Sequence, residues 1–230
     1  MSREQPITSQ STADCCPPAR DPRIASRFDD LTRQRTQGGV LPPMQPVSRR
    51  LFESLDDVAE ARPTLLELGC GSGALLVELL RSGATHGDGV DLSVGSLDAA
   101  KRRADEAGIA ERTTFTQGDG AQVKLEAHDW VVLDRVICCY PDADALLANA
   151  LPAARKRFAF SVPTSRGLRG LLNRVVWGIE AKWDVLRNGC PGYVHSLDQI
   201  EGRLSAAGFR LLRSNTGWMW HVAVWERDAA

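Results

Sequence analysis

Leu65-Leu66-Glu67-Leu68-Gly69-Cys70-Gly71-Ser72-Gly73 is the stretch on which the reading of this chain turns. Apolar residues with a single acid among them read as a short buried strand, and the glycines that follow break it. Ala74-Leu75-Leu76-Val77-Glu78-Leu79-Leu80 then resumes with good helix formers. The unit is strand, glycine turn, helix. Such a turn lets backbone approach a ligand closely, and the helix start offers unpaired N–H groups.

Further along, Val90-Asp91-Leu92 closes a second strand with an acid. A carboxylate at the end of the second strand of such a unit can accept both hydroxyls of a ribose. Dinucleotide folds usually show G-x-G-x-x-G; here the pattern is Glu67-x-Gly69-x-Gly71-x-Gly73. That pattern resembles the first motif of class I S-adenosylmethionine (SAM) methyltransferases.

Composition bounds the rest. The chain has 230 residues, formal net charge −1, 25% charged and 43% hydrophobic residues. This suits one domain of ordinary size plus appendages, with no global field favouring nucleic acid or an acidic membrane. No apolar run reaches the roughly twenty residues that span a bilayer, and the polar N-terminus is unlike a secretory signal. The expectation is a cytoplasmic protein. The six cysteines, Cys15-Cys16, Cys138-Cys139, Cys70 and Cys190, make no C-x-x-C pair, and the histidines have no ligand spacing. Neither a disulfide framework nor a metal site is expected.

Residues 1 to about 24 are proline-punctuated and aperiodic and read as a mobile tail. Ile24–Leu31 reads as a short helix. Val47–Ala61 reads as one helix, with Leu51, Leu55 and Val58 at helical steps and Pro63 ending it. Strands follow at His86–Leu92, Arg112–Gln117, His128–Asp134 and Phe158–Val162. Between them lie a helix capped by Ser93 or Ser96 and running to Ala107, and another over Asp142–Ala150. Within Thr164–Lys182 an apolar stripe (Leu168, Leu171, Leu172, Val175, Val176, Ile179) repeats at helical period. It is read with equal weight as a substrate lid or as a helix packed on the sheet edge. Ser196-Leu197-Asp198-Gln199 reads as a capping box. Phe209–Arg213 and Trp218–Trp225 read as two pairing strands, the second buried on both sides.

The methyltransferase resemblance covers roughly Pro46 to Arg227. Three features are similar to the magnesium-protoporphyrin methyltransferase branch: Cys139-Tyr140-Pro141 after the fourth strand, the leucine-rich helix, and Tyr193-Val194-His195. Cys139 stands where the porphyrin enzymes carry a histidine, a departure that bears on the acceptor. The likeness implies an α/β Rossmann-like three-layer sandwich, with a seven-stranded mostly parallel sheet ending in an antiparallel hairpin. It implies a domain over 46–230 with a helical insertion at about 164–195, preceded by a 1–45 tail that can cover the cofactor. It implies SAM as cofactor, held by Glu67, Gly69, Cys70, Gly71, Gly73, Asp91, Leu92, Asp119, Gly120 and Asp134. Of these, the acid of Gly118-Asp119-Gly120 faces the adenine amino group.

SAM arrives activated, so catalysis is mainly alignment, with a base where the nucleophile is an alcohol or amine. Tyr140, His195 and Asp134 are the candidate catalytic groups. The expected partner is a small-molecule acceptor, O-methylated on a carboxylate or hydroxyl, with no nucleic acid and no membrane span. Two alternatives stand beside it. One is a thiol or soft metalloid acceptor engaged through Cys15-Cys16 and Cys138-Cys139; the other is a SAM-binding protein without catalysis.

Overall fold

The computed structural model describes residues 22–36, 39–173, 175 and 192–228. The helices are α1 (Pro22–Arg35), α2 (Pro46–Glu53), α3 (Val58–Ala61), α4 (Ala74–Arg81), α5 (Val94–Glu106), α6 (Ala143–Ala150), α7 (167–173) and α8 (Leu197–Ala206). The strands are β1 (Thr64–Leu68), β2 (His86–Asp91), β3 (Thr113–Gln117), β4 (His128–Asp134), β5 (Ala154–Pro163), β6 (Phe209–Thr216) and β7 (Trp220–Arg227). They form one sheet in the order β3-β2-β1-β4-β5-β7-β6. The first five are parallel, and β7 runs antiparallel between β5 and β6. The seven-stranded, mostly parallel sandwich with an antiparallel end is therefore present.

Strand alternation explains the three layers. Side chains two apart share a face. Leu65, Trp130, Val132, Ala159, Val222 and Val224 pack on one side against α2 and α4. Leu66, Leu68, Val131, Leu133, Phe158, Phe160 and Ala223 pack on the other against α6 and α8. Strand order reverses between β1 and β4, and that switch point opens a crevice beyond the strands' C-terminal ends.

Several boundaries differ from expectation. Val47–Ala61 is two helices, not one. After Glu53 the chain leaves the helix, with Ser54 N–H bonding Arg50 and Leu51 carbonyls and Ser54 Oγ donating to Arg50 O. Leu51, Leu55 and Val58 are all buried in one cluster. Their spacing reported a common buried face rather than an unbroken helix. The first helix also extends to Arg35, past the expected Leu31.

At α7 the stripe points outward: Leu168 is 83% exposed and Leu171 60%. Asn173 faces in instead, its amide donating to the carbonyls of Thr164 (3.0 Å) and Met219 (3.3 Å). Satisfying two carbonyls at the end of β5 and before β7 orients this helix, against its hydrophobic pattern. The rest of the expected insertion, and residues 1–21, lie outside the described residues. Among the described residues no helix is long and apolar enough to cross a membrane.

At the opposite sheet end, Asp88 sits between two imidazoles: His86 Nε2 at 3.0 Å and His128 Nε2 at 3.1 Å. The hydrogen bond to Asp88 holds His128 above its ordinary pKa against the cost of burial, and Asp88 is lowered in turn. A base whose folded pKa is raised stabilises fully below its unfolded value and loses that contribution as pH climbs through the folded one. The stability advantage of the wild-type chain over His128→Asn should therefore be larger at about pH 6 than at about pH 9. Thermal melts of both chains across that range check it, and a pH-independent difference would show that the pair is not charged.

Candidate cofactor cavity

The crevice holds a cavity of about 200 Å³ bordered by the glycine turn, the ends of β1, β2 and β4, and the segments α1 and 42–48. Glu67, Gly69, Cys70, Gly71, Asp91, Leu92, Gly120, Asp134 and Tyr140 border it directly. Gly73 stands behind the turn, where α4 begins against Ala100 of α5. The sulfur of Cys70 is buried, which raises its thiol pKa well above the usual value.

The glycines serve different ends. Gly69 has φ +66, and a Cβ there would collide with Val136 just past β4, so no other residue lets these loops touch. Gly71 has φ +51 and nothing near its missing Cβ, so it keeps left-handed backbone open to the cavity. Its N–H donates to Asp91 Oδ2 at 2.8 Å, while Ser93 N–H donates to Asp91 Oδ1 at 2.9 Å. Burial raises the Asp91 pKa, and these two N–H bonds work against that rise.

Glu67 shares its sheet face with Asp134 and Ser161, as their register dictates. Its carboxyl accepts the Leu76 N–H at 3.1 Å under the start of α4. Burial, then repulsion from Asp134, pushes its pKa well above the carboxylate range. Asp134 accepts from Ser161 Oγ at 2.6 Å and from Ser48 Oγ of α2. Two adjacent acids, one with its pKa raised by its surroundings, form a place that a cation would neutralise.

Asp119 Oδ1 accepts from Ala121 N–H (3.0 Å) and the Tyr140 hydroxyl (2.8 Å), while Oδ2 is buried with no partner. The Tyr140 hydroxyl also accepts the Gly120 N–H at 3.1 Å. Both of its functions are thereby engaged, and burial raises the phenol pKa far beyond reach. Tyr140 is a clamp on the Gly118–Gly120 turn rather than a group free to orient an acceptor. His195 is also redirected. Its Nε2 bonds the Tyr140 carbonyl at 2.8 Å, its ring stacks on Tyr193, and it does not border the cavity. Of the three candidate catalytic residues only Asp134 keeps a carboxylate facing the cavity.

Other groups had no signal in the sequence. Arg103 bonds the Ser72 carbonyl (2.8 Å) and the Pro42 carbonyl (2.5 Å), tying the turn to the segment that covers it. Asp29 of α1 accepts from Ser93 Oγ (2.5 Å) and Gly95 N–H (2.9 Å) at the start of α5. Phe28, Leu31 and Thr32 then wall the cavity. Asn149 donates to the Gly120 and Val123 carbonyls. Each partner lies far away in sequence, so spacing cannot reveal it. Cys15, Cys16 and Cys190 lie outside the described residues. Among the described residues no cluster of three or more His, Cys, Asp or Glu could hold a metal.

This fold with its glycine turn and acids defines a class, and residues 65–157 match the family model described as a methyltransferase domain. That match takes in β1 through the start of β5. The chain is similar to magnesium protoporphyrin IX methyltransferase from Synechocystis PCC 6803, solved with bound SAH: 20% identity, TM-score 0.69, covering 89% of this chain and 98% of that one. An O-methyltransferase family 2 protein from Planctomyces limnophilus, in complex with apigenin, is 20% identical with TM-score 0.65, covering 92% of this chain and 63% of that one. At such identities the likeness is one of fold. Ribosomal protein L11 methyltransferase of Photorhabdus laumondii is 26% identical over 129 residues, 55% of this chain and 38% of that protein. The match thus spans little more than a third of that relative's length.

The clamp can be checked by itself. Tyr140→Phe leaves the Gly120 N–H without its acceptor and removes a bond from Asp119. It should lower unfolding stability by about 1–3 kcal/mol, with the denaturant slope unchanged. An unaltered midpoint in a urea titration would mean that the hydroxyl holds nothing.

Proposed function

We propose that this chain binds SAM in the cavity and transfers its methyl group to a small carboxylate-bearing acceptor. The observation that carries this reading is the set of acids around the left-handed glycine turn, each suited to a different part of the cofactor. Glu67 and Asp134 fit its cationic amino-acid end, and Asp91 fits the ribose hydroxyls. Asp119 does not itself line the cavity, but it sits between the wall residues Gly118 and Gly120, and its partnerless Oδ2 fits an adenine amino group. Gly69, Cys70, Gly71, Leu92 and Gly120 supply the close walls.

When bound, the sulfonium supplies an already activated methyl group. What the chain adds is alignment and exclusion of water by α1 and the 42–48 segment. A base is needed only where the acceptor must lose a proton. The Tyr140 hydroxyl is engaged by Gly120 and Asp119, His195 does not border the cavity, and Asp134 is engaged by two serine hydroxyls. An acceptor that is already ionised fits this site better than an alcohol. Arg35 and Arg135 at the cavity wall offer positive charge to a carboxylate.

The covered cavity favours a small molecule over a folded protein surface. A protein acceptor is the second reading, because the matched L11 methyltransferase is named for one. Incubating the chain with methyl-labelled SAM and separate panels of small carboxylic acids, phenols, thiols and ribosomal proteins discriminates. Label in the carboxylates alone is expected. Label only in protein would reverse the choice of acceptor, and binding with no transfer to any panel would leave a cofactor-binding protein.

Two predictions concern binding. Asp91→Ala should weaken SAM by about 1–3 kcal/mol, roughly ten- to a hundredfold in Kd, for the charge-assisted bonds lost. Titration calorimetry reads this directly, and equal affinity would remove Asp91 from the site. Glu67 adds a pH dependence. Its folded pKa is raised, so the ligand-free fold loses stability as pH rises above the ordinary carboxylate range. An ammonium placed beside it expels the proton, so SAM affinity should climb with pH and binding should release a proton. Calorimetry in buffers of different ionisation heat measures that release. Glu67→Gln should abolish it while raising the melting temperature of the ligand-free chain.

A further inference from the structure

A single turn after β4, residues 137–139, places two adjacent thiols at the cavity wall. Both Sγ atoms lie 3.5 Å from the same acceptor, the Arg135 carbonyl. Cys138 is 4% exposed, while Cys139 is half-buried and borders the cavity. The two thiols therefore converge on one carbonyl oxygen. The neighbouring thiol, with help from the Arg135 guanidinium, lowers the pKa of Cys139; the neighbouring thiol and burial raise that of Cys138. The proposed reaction uses neither thiol.

Adjacent cysteines are poorly disposed to bond to each other. Consecutive Cα atoms across a trans peptide are about 3.8 Å apart, closer than the roughly 4.4–6.8 Å that disulfides span. An atom inserted between the sulfurs relaxes that constraint. A soft, trivalent centre with two open positions meets both needs, since thiolates prefer soft ions.

We propose that Cys138 and Cys139 form a bidentate capture site for trivalent organoarsenicals, opening onto the cofactor cavity. With phenylarsine oxide the step is a condensation. Two arsenic–sulfur bonds form, the arsenic–oxygen bond is lost, and the oxygen leaves as water with both thiol protons. No oxidant or reductant takes part, and arsenic stays trivalent. The cavity side of Cys139 admits the reagent. The sulfur of Cys138, held on the same carbonyl, closes the ring.

The test uses the full chain carrying Cys15→Ser and Cys16→Ser, which removes the other adjacent pair. Treated with phenylarsine oxide in excess 2-mercaptoethanol, it should gain the mass of one phenylarsenic group per chain, because a chelate survives monothiol competition. Adding 2,3-dimercaptopropanol should strip it. Proteolytic mapping should place the group on the peptide holding both Cys138 and Cys139. Introducing Cys139→Ser into the same background should abolish the adduct, with an unchanged circular dichroism melt showing that the fold persists. Absence of an adduct before that substitution, loss to the monothiol, or mapping to Cys70 or Cys190 would each overturn the site. The mapping and competition results stand even if the Cys139→Ser chain folds poorly.

Discussion

The carboxylate of Asp91 is the constraint on which the site depends. It takes one N–H from the glycine turn and one from the entrance to α5, and so fixes the ends of two structural units against each other. The chain of bonds runs further. Ser93 Oγ, which caps α5 by accepting the Ser96 N–H, donates to Asp29 of α1. Helix cap, turn and covering helix thus form one hydrogen-bonded series. Asp29 also repels Asp91 and contributes to its raised pKa, though less than burial does. The arrangement is stable because each acid meets backbone N–H donors at close range, and a carboxylate so bonded tolerates burial.

A second consequence follows from the period of two along a strand. Glu67, Asp134 and Ser161 must share a face, because residues two or more even steps from core positions 65, 132 and 159 do so. That face leads to the start of α4, where the Leu76 N–H meets Glu67. Desolvation outweighs this single bond, and Asp134 adds to the imbalance. A buried acid whose pKa is raised, set beside a second acid, is a poor structural element, since well-packed apolar residues would cost less. The pair makes sense as a receptor for positive charge.

Local features were legible in the sequence, and distant ones were not. The glycine turn, the strand-ending acids and the caps at Ser93 and Ser196 depend on neighbours a few residues away, and the structure shows them. The sheet's antiparallel end was likewise readable from Trp218–Trp225, whose core portion lies buried between β5 and β6. Periodicity left the orientation open at α7, because a stripe says that a helix has an apolar side without saying where that side points. Asn173 decided the direction through two carbonyls at the ends of other segments. The same limit applied to Tyr140 and His195. Their position in the chain put them near the site, but side-chain direction is settled by Asp119, Gly120 and the Tyr140 carbonyl. Ser48, Arg103 and Asn149 act on partners far along the chain, and no spacing announces such pairs.

The turn after β4 shows how one strained residue organises this side of the cavity. Arg135 has φ +57, a conformation that an arginine adopts at a cost of about 1–3 kcal/mol. Its N–H meets Ser161 Oγ, and its carbonyl takes both cysteine thiols. Ser161 in turn donates to Asp134, so the strained peptide and the acid of the site share a single hydroxyl. Tyr193 N–H bonds the Cys138 carbonyl at 2.7 Å, joining the segment before α8 to the same turn. A bend satisfied at this many points does not relax to an ordinary conformation. It directs the chain from the end of β4 back across the sheet rim, bringing Val136 onto Gly69 and the Tyr140 hydroxyl onto Asp119. The glycine turn and the Gly118–Gly120 turn therefore take their relative positions from Arg135. The close approach of Val136 requires a residue without a side chain at position 69, as firmly as any ligand would.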